Sequence, residues 1–194
     1  MDKFAVILFG RTTARSIFRW EYLKETLFTL DELDKETSLL IFQDEPVKLD
    51  SKEDVLDMVD HYHFYGETSE FQAKMGEHIK AMKEKGYSKI LLLSCCHAIN
   101  IDEDMPTMEE LGIWDKRLAF YTDALDTKTL NHRFMYGDAN FIEAIWSRQP
   151  FLRTRTVDEN IYRNAKNVIG EENIAKHSYT DDTFNVTRIG WGTE

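Results

Sequence analysis

A short run of uninterrupted apolar residues in the middle of the chain limits the possible folds more than any other feature. Lys89–Leu93 reads KILLL. Runs rich in leucine and β-branched residues form strands that are covered on both faces, as in sheets flanked by helices. Phe4–Phe9 (FAVILF) and Ser38–Gln43 (SLLIFQ) have the same character. The sequence therefore predicts a buried, mostly parallel sheet.

Helical patterns separate these strands. A helix is predicted from Ser16, a short helix from Ser51 through Met58, and a longer helix over Ser69–Lys85. Between the last two, His61–Tyr65 is predicted as a further strand. Strands that alternate with helices as far as Leu93 are typical of a right-handed, Rossmann-like α/β unit.

After Asp104 the pattern changes to a smaller mixed β/α second half. Asp138 precedes a helix that Pro150 ends, and another helix is predicted over Val157–Val168. No repeat or low-complexity linker divides the chain, so residues 1–194 are expected to form a single domain. Strands are predicted at Lys116–Tyr121 and Leu130–Tyr136, and edge strands at Ile174–Ser178 and Phe184–Ile189.

Composition excludes several classes of partner. With 35 acidic and 24 basic residues, the chain has a net charge of −11, which argues against a nucleic-acid or anionic-membrane surface.

No apolar run approaches the ~20 residues that span a bilayer, and no apolar leader opens the sequence. The adjacent Cys95 and Cys96 are interpreted as core residues of a reduced compartment. We expect a cytoplasmic protein, in the host cytoplasm if its source is a virus.

Two carboxylates come shortly after the central strand. Asp102 and Asp104 form the only D-x-D in the chain, and the segment that leaves a buried strand lies at the rim of the sheet, where open α/β sheets bind ligands. Such a pair can converge on Mg²⁺ or Mn²⁺, whose remaining positions go to water and phosphates. The alternative is a solvated acidic loop.

Three histidines without metal-binding spacing are interpreted as structural or surface residues: His61, His63 and His78.

A basic turn comes directly after the first strand. Gly10 permits close approach of a ligand, and Arg11 and Arg15 are candidate partners for phosphate. The turn lacks both the G-x-G-x-x-G fingerprint and the P-loop motif, so neither of those nucleotide sites is available. The alternative interpretation is an arginine pair that solubilises a surface turn.

Three segments, in this order along the chain, carry a resemblance to a known family. They are AVILFGRTTARS at 5–16, LNHRFMYGDANFIEAIW at 130–146 and DENIYRNAKNVIGEENIAKHSYTDDTFNVTRI at 158–189. The second is similar to an N-D-R-F-x-F-G segment and the third to a closing helix, strand and arginine. Together they resemble the GT-A type of nucleotide-sugar glycosyltransferase, in particular the small WavE-like and chlorovirus capsid-glycosylating enzymes.

The resemblance implies that the two halves of the chain bind different substrates. Residues 1–104 would bind a UDP- or GDP-sugar donor, and residues 105–194 would bind a glycan or glycoprotein acceptor. Asp102 and Asp104 would hold Mn²⁺ or Mg²⁺ against the phosphates, and Asp138 would take the proton of the acceptor hydroxyl in an inverting reaction. The alternative for Asp138 is a plain helix N-cap. The residues implied to lie along the nucleotide are Gly10, Arg11, Thr12 and Arg15. His97 is a candidate for contact with a phosphate or the metal, and the alternative is that it simply packs.

The sequence departs from the family pattern at two places. Relatives carry an arginine and an aspartate directly after the central strand, where this chain has Ser94–His97, and His132 replaces the aspartate of N-D-R-F. If the metal motif is displaced, metal binding could be weak or absent, or Asp123 and Asp126 could supply the metal ligands. Two other classes stay open, a nucleotidyltransferase and a non-catalytic nucleotide- or sugar-binding module. Two arginines are expected in the pocket or in salt bridges: Arg133 and Arg188.

Overall fold

The computed structural model describes most of the secondary structure of the chain. The described residues are 3–10, 35–42, 56–66, 70–94, 97–99, 118–122, 132, 134–148, 154–178 and 186–188. The strands are β1 (Phe4–Gly10), β2 (Lys35–Ile41), β3 (His61–Phe64), β4 (Lys89–Ser94), β5 (His97–Ile99), β6 (Leu118–Thr122), β7 (Phe134–Asp138), β8 (Ile174–Ser178) and β9 (Val186–Arg188). The helices are α1 (Phe71–Glu84), α2 (Ala139–Ser147) and α3 (Val157–Ile169), the last followed by a 3₁₀ turn at Glu171–Asn173.

Seven of these strands form one sheet in the order β3-β2-β1-β4-β7-β6-β8. Strand β7 is antiparallel to both of its neighbours, β4 and β6, and the other pairings are parallel. The predicted mostly parallel α/β sheet is therefore confirmed, with β8 at an edge as expected. A second, two-stranded sheet pairs β5 with β9, so that His97 lies opposite Arg188.

The direction in which the chain adds strands reverses beside β1. From β1 the chain adds β2 and then β3 on one side, and it returns to place β4 on the other side. Such a reversal opens a crevice outside the carboxyl ends of the two strands on either side of it. Phe9 pairs with Ser94, so β1 and β4 end at the same level and the crevice lies between their ends.

Both faces of the central strands are buried, as the apolar runs predict. On one face, Ile7 and Leu92 pack with Ile79 of α1, Trp146 of α2 and Ile161 of α3. The residues that alternate with them, among them Val6, Leu8 and Leu91, are also inaccessible to solvent. At roughly 2 kcal/mol per large buried aliphatic side chain, this double-sided core is the main source of stability.

Most predicted elements are found, with shifted ends. Strand β7 continues two residues beyond the predicted Tyr136, because Gly137 and Asp138 pair with Ile90 and Lys89. The short strand β5 was not predicted. The expected helix from Ser16 lies outside the described residues, and of the Ser51–Met58 helix the described part is helical at 56–57. Within the described part of the chain, no helix is long and apolar enough to cross a membrane.

Candidate functional site

We define the carboxyl edge as the ends of β1, β2 and β4 together with the start of β7, which runs the other way. Gly10 ends β1 with a φ of 144°, a conformation that residues with a side chain rarely adopt. Its carbonyl accepts a hydrogen bond from the backbone N–H of Phe42 at 2.9 Å, which ties the end of β1 to the end of β2. The end of β1 is therefore fixed beside the crevice.

Aromatic rings pack beneath this edge. Phe42 stacks on Tyr65, with ring centroids 5.1 Å apart, and meets Phe71 edge-on at 5.0 Å. Phe71 opens α1 and also lies 5.8 Å from the ring of Phe9. Such offset and edge-on pairs stabilise a cluster beyond the area that they bury. The rings hold the strand ends and the start of α1 in one rigid arrangement.

A histidine and an aspartate meet at the same edge. His132 lies two residues before Phe134, which pairs with Leu93 near the end of β4. Its ring is 6.2 Å from the ring of Phe9 and 6.1 Å from that of Phe71. Oδ1 of Asp158 accepts hydrogen bonds from the backbone N–H of His132 at 2.9 Å and from its Nδ1 at 2.6 Å. We call these two residues the His132–Asp158 pair.

The first turn of α3 positions Asp158. The Thr156 hydroxyl accepts from the Glu159 N–H at 3.2 Å, and the Glu159 carboxylate accepts from the Thr156 N–H at 2.8 Å. This reciprocal capping box fixes the start of the helix. A carboxylate in the first turn is also favoured by the helix dipole. Asp158 is therefore held where its carboxylate accepts hydrogen bonds from His132.

The sequence contained only part of the signal for this pair. T-V-D-E at 156–159 has the spacing of a capping box, and His132 stood out as the replacement of an aspartate. The two side chains are 26 residues apart, and no local spacing relates them. Their contact arises because the start of α3 packs beside the start of β7.

Of the residues that the sequence predicted to bind nucleotide, the structure places two. Gly10 lies at the carboxyl edge, and His97 lies in β5 with its backbone paired to that of Arg188. Among the described residues, no group of three or more His, Cys, Asp or Glu side chains is arranged to hold a metal ion. The remaining candidates lie outside the described residues, and their roles stay predictions: Arg11, Thr12, Arg15, Asp102, Asp104, Asp123, Asp126 and Arg133.

Asp138 lies at the opposite edge of the sheet. It ends β7 and pairs with Lys89, the first residue of β4, whereas Gly10 lies beyond the last. Five residue steps along β4 correspond to roughly 17 Å. Its Oδ1 accepts from the Asn140 N–H at 2.9 Å, so it is the N-cap of α2. The structure supports the capping role and does not bring Asp138 to the carboxyl edge.

A polar cluster occupies the amino ends of β2 and β3. The Glu36 carboxylate contacts His61 and accepts hydrogen bonds from Lys85 at 2.6 Å and Tyr87 at 2.5 Å. Burial alone raises the pKa of Glu36, but hydrogen bonds from Lys85, Tyr87 and His61 outweigh it and lower the pKa to about 2. The cluster therefore fixes α1 and β4 against β2, far from the carboxyl edge.

Two further histidines pack beside this cluster. The rings of His63 and His78 meet edge-on at 5.4 Å, and His78 is buried. Burial, reinforced by the nearby His63, His61 and Lys85, lowers the pKa of His78 to about 4. His78 is therefore neutral at pH 7, in agreement with the structural role assigned to these histidines from the sequence.

Several solved structures share the fold of this chain. A scan against protein-family models and a search of curated proteins gave no match. A presumed nucleotide-diphospho-sugar transferase from Desulfovibrio desulfuricans G20 matches with a TM-score of 0.57 and 11% identity, over 92% of this chain and 80% of that one. A presumed glucose-1-phosphate thymidylyltransferase from Bacillus anthracis, solved with sucrose, gives 0.57 and 10%, over 96% and 89%.

TarS from S. aureus also matches, with a TM-score of 0.55 and 12% identity. The alignment covers 92% of this chain but 36% of TarS, so the chain corresponds to about a third of that protein. At such identities the likeness shows the fold alone. The chain has the same α/β fold as these three structures.

Proposed function

We propose that this chain transfers a sugar from a nucleoside-diphosphate sugar to a hydroxyl group of a glycan or glycoprotein, assisted by a divalent metal ion. The observation that carries the proposal is the crevice between β1 and β4, where Gly10 ends β1 with a positive φ. Ligands of open α/β sheets bind at such a reversal of strand order. The fold shared with a presumed nucleotide-diphospho-sugar transferase supports the same choice of ligand.

The donor would lie along the turn that comes after β1. Gly10 lets the backbone approach the ligand, and the Arg11 and Arg15 guanidinium groups suit the charge of a diphosphate. Thr12 would donate a hydrogen bond to the nucleotide, and His97 would contact the phosphates. The donor class is a UDP- or GDP-sugar.

The leaving diphosphate develops negative charge as its bond to the sugar breaks. Asp102 and Asp104 are the proposed ligands of Mn²⁺ or Mg²⁺, since hard divalent cations prefer carboxylate oxygens. When bound, the metal ion would neutralise this charge. Arg11 and Arg15 would add to the same effect through charge-assisted hydrogen bonds.

Thermal unfolding with a panel of nucleotide sugars tests the proposal. The panel comprises UDP-glucose, UDP-galactose, UDP-N-acetylglucosamine, GDP-mannose and GDP-fucose, each with and without MnCl₂. At 100 times the dissociation constant, binding adds about 2.7 kcal/mol, which raises the Tm of a chain of this size by roughly 5–10 °C. A Tm that no member of the panel raises, with or without Mn²⁺, would contradict the proposal.

The metal assignment has its own variant. Asp104→Ala should abolish the part of the Tm rise that needs Mn²⁺, because one carboxylate ligand is lost, while the unfolding temperature without ligand stays the same. Asp57→Ala is the matched control, since Asp57 is an exposed aspartate. A Mn²⁺-dependent rise that Asp104→Ala leaves unchanged would reject Asp104 as a metal ligand.

A nucleotidyltransferase is the second candidate. It is favoured by the likeness to a presumed thymidylyltransferase, and weakened by the turn GRTTAR, which lacks the richer glycine, arginine and lysine content usual in that class. The two reactions have different products. Pyrophosphate released from a nucleoside triphosphate and a sugar 1-phosphate would identify the nucleotidyltransferase, and nucleoside diphosphate released from a nucleotide sugar would identify the glycosyltransferase. A non-catalytic binding module would bind nucleotide sugar and release neither product.

A further inference from the structure

We propose that His132 is the general base of the transfer and that Asp158 positions it. The inference rests on the proposed function, because it names the group that would accept the proton of the acceptor hydroxyl. It is carried by the position of the His132–Asp158 pair at the carboxyl edge, by the two hydrogen bonds that join its members, and by the side of the crevice on which it lies.

The position of His132 is set by strand pairing. Phe134 pairs with Leu93, and Met135 with Leu92, so the start of β7 lies at the level where β4 ends. His132 precedes that start by two residues, and its ring lies 6.2 Å from the ring of Phe9, the neighbour of Gly10. The imidazole therefore lies beside the crevice in which the donor is proposed to bind.

His132 also lies on the side that suits an acceptor. The strand order places β1 and β4 next to each other and β7 beyond β4. A donor that lies over the ends of β1 and β4 would have its sugar between the Gly10 turn and the start of β7. A hydroxyl group that approaches from the second half of the chain would then meet His132 before it reaches the sugar.

The hydrogen bonds prepare His132 to accept a proton. Asp158 binds its Nδ1, which assigns the ring proton to that nitrogen and leaves the lone pair on Nε2. A carboxylate on Nδ1 keeps the imidazole in this tautomer and stabilises the imidazolium that forms when Nε2 is protonated.

The ring is also held in place by its surroundings. The side chain of His132 is 16% exposed, and the rings of Phe9 and Phe71 pack against it. The second hydrogen bond, from the backbone N–H of His132 to Oδ1 of Asp158, fixes the carboxylate relative to the same residue. A base that is oriented in this way has little freedom to lose in the transition state.

The proposed step is a direct displacement. Nε2 of His132 takes the proton of the acceptor hydroxyl while the hydroxyl oxygen bonds to the anomeric carbon of the donor. The bond between that carbon and the diphosphate oxygen breaks, and its electron pair leaves with the nucleoside diphosphate. The imidazolium then releases its proton to water. Attack opposite the leaving group inverts the anomeric configuration.

One substitution distinguishes a purely structural role of His132 from a catalytic role. In His132→Asn the side-chain amide occupies the position of Nδ1 and can still donate to Asp158, but nothing replaces Nε2. If His132 only joins β7 to α3, this variant should keep its activity. If His132 is the base, kcat should fall by about 10²–10⁴-fold, the range typical of general-base catalysis.

The assay measures nucleoside diphosphate released from the same five nucleotide sugars with MnCl₂, with water and methyl glycosides as acceptors. For His132→Asn we expect kcat to fall and the acidic limb of the pH–rate profile to disappear. The KM and the rise in Tm with nucleotide sugar should stay close to those of the unsubstituted chain. Free imidazole should restore part of the activity of His132→Gly. Asp158→Asn should also lower kcat, because an amide does not stabilise the imidazolium.

Asp138→Asn tests the rival assignment, in which Asp138 is the base, and is compared with Asp158→Asn. Both are carboxylate-to-amide changes at the start of a helix, and asparagine is as good an N-cap as aspartate. If His132 is the base, Asp138→Asn should leave kcat close to that of the unsubstituted chain, because asparagine keeps the cap of α2. A large loss of kcat in Asp138→Asn, with full activity in His132→Asn, would instead identify Asp138 as the base.

The outcomes separate the two proposals. If the unsubstituted chain binds and cleaves a nucleotide sugar while His132→Asn matches its kcat and pH profile, the base assignment is wrong and the proposed function stands. If no nucleotide sugar raises the Tm or is cleaved, the proposed function fails and the assignment of His132 fails with it.

Discussion

His78 is a titratable side chain that folding places among apolar residues and other basic groups. It is 8% exposed, and among the described residues its Nε2 has no hydrogen-bond partner. The groups that face it are His63 and His61 of β3, Lys85 at the end of its own helix, and Glu36 of β2. Burial is the main reason why the pKa of His78 is low; His63, His61 and Lys85 lower it further, and Glu36 opposes them.

This burial predicts a loss of stability in mild acid. The pKa of His78 is about 4 in the folded chain and 6.5 in the unfolded chain, so between these values the unfolded chain binds the proton more readily. The contribution is fully present above pH 6.5 and is lost as the pH falls towards 4, by an amount on the order of 3 kcal/mol. Urea unfolding of His78→Leu at about pH 7.5, 5.5 and 4.5 measures it.

The leucine variant should lose less stability between about pH 7.5 and 4.5 than the unsubstituted chain. Glu36 titrates in a lower pH range, because its pKa in the folded chain lies at about 2. Its contribution to the free energy of unfolding is lost as the pH falls from 4.5 to 2. Equal pH dependence of the two proteins would mean that His78 does not carry the effect.

At the scale of single elements, α3 depends on its capping box. Thr156→Ala removes the hydroxyl that accepts from the Glu159 N–H, and we expect it to lower the free energy of unfolding by about 1 kcal/mol. Thr156→Ser keeps an equivalent hydroxyl and serves as the control. Urea unfolding at pH 7 checks both, and an alanine variant as stable as the serine variant would show that the cap contributes nothing.

Some elements could be predicted from sequence because their signal is local. FAVILF and KILLL are too apolar to be exposed, and each folds as a strand buried on both faces. Strands β5 and β9 have three residues each and no pattern of their own, so β5 was missed. Asp138 was predicted as the base, with a helix cap as the alternative, but the edge of the sheet at which it lies depends on the antiparallel direction of β7, which no local pattern contains.

The site itself was less predictable, for a related reason. Gly10 could be singled out because a glycine that ends a buried strand is a local feature. The partnership of His132 with Asp158 and the contact of Glu36 with Lys85 join residues 26 and 49 positions apart. Such contacts are products of packing, and they arise only from the way in which the elements assemble.

At the scale of the whole molecule, one large sheet joins the two halves. The first half supplies β4 and the second half β7, and these strands pair over five residues from Lys89–Leu93 to Phe134–Asp138. On the face shared with the helices, Met135 and Trp146 of the second half lie in the same core as Ile7 and Leu92 of the first. Neither half can be separated without exposing this core.

We therefore expect the chain to unfold in a single cooperative transition. Far-UV circular dichroism and tryptophan fluorescence should give coincident urea curves, as is usual for a domain whose parts share one core. A fragment of residues 1–104 should not show a cooperative transition, because Leu92 and its neighbours would lose their cover. Two separate transitions, or a folded fragment, would show that the halves are independent domains.

The reversed direction of β7 has a consequence for the chemistry at the carboxyl edge. The register that sets Phe134 against Leu93 also sets where His132, two residues before Phe134, lies relative to the end of β4. Sliding β7 by one residue would displace His132 by roughly 3.3 Å and turn the side chains of the strand to the opposite face. The spacing between a reacting hydroxyl and a bound sugar would thus be determined by backbone pairing inside the sheet.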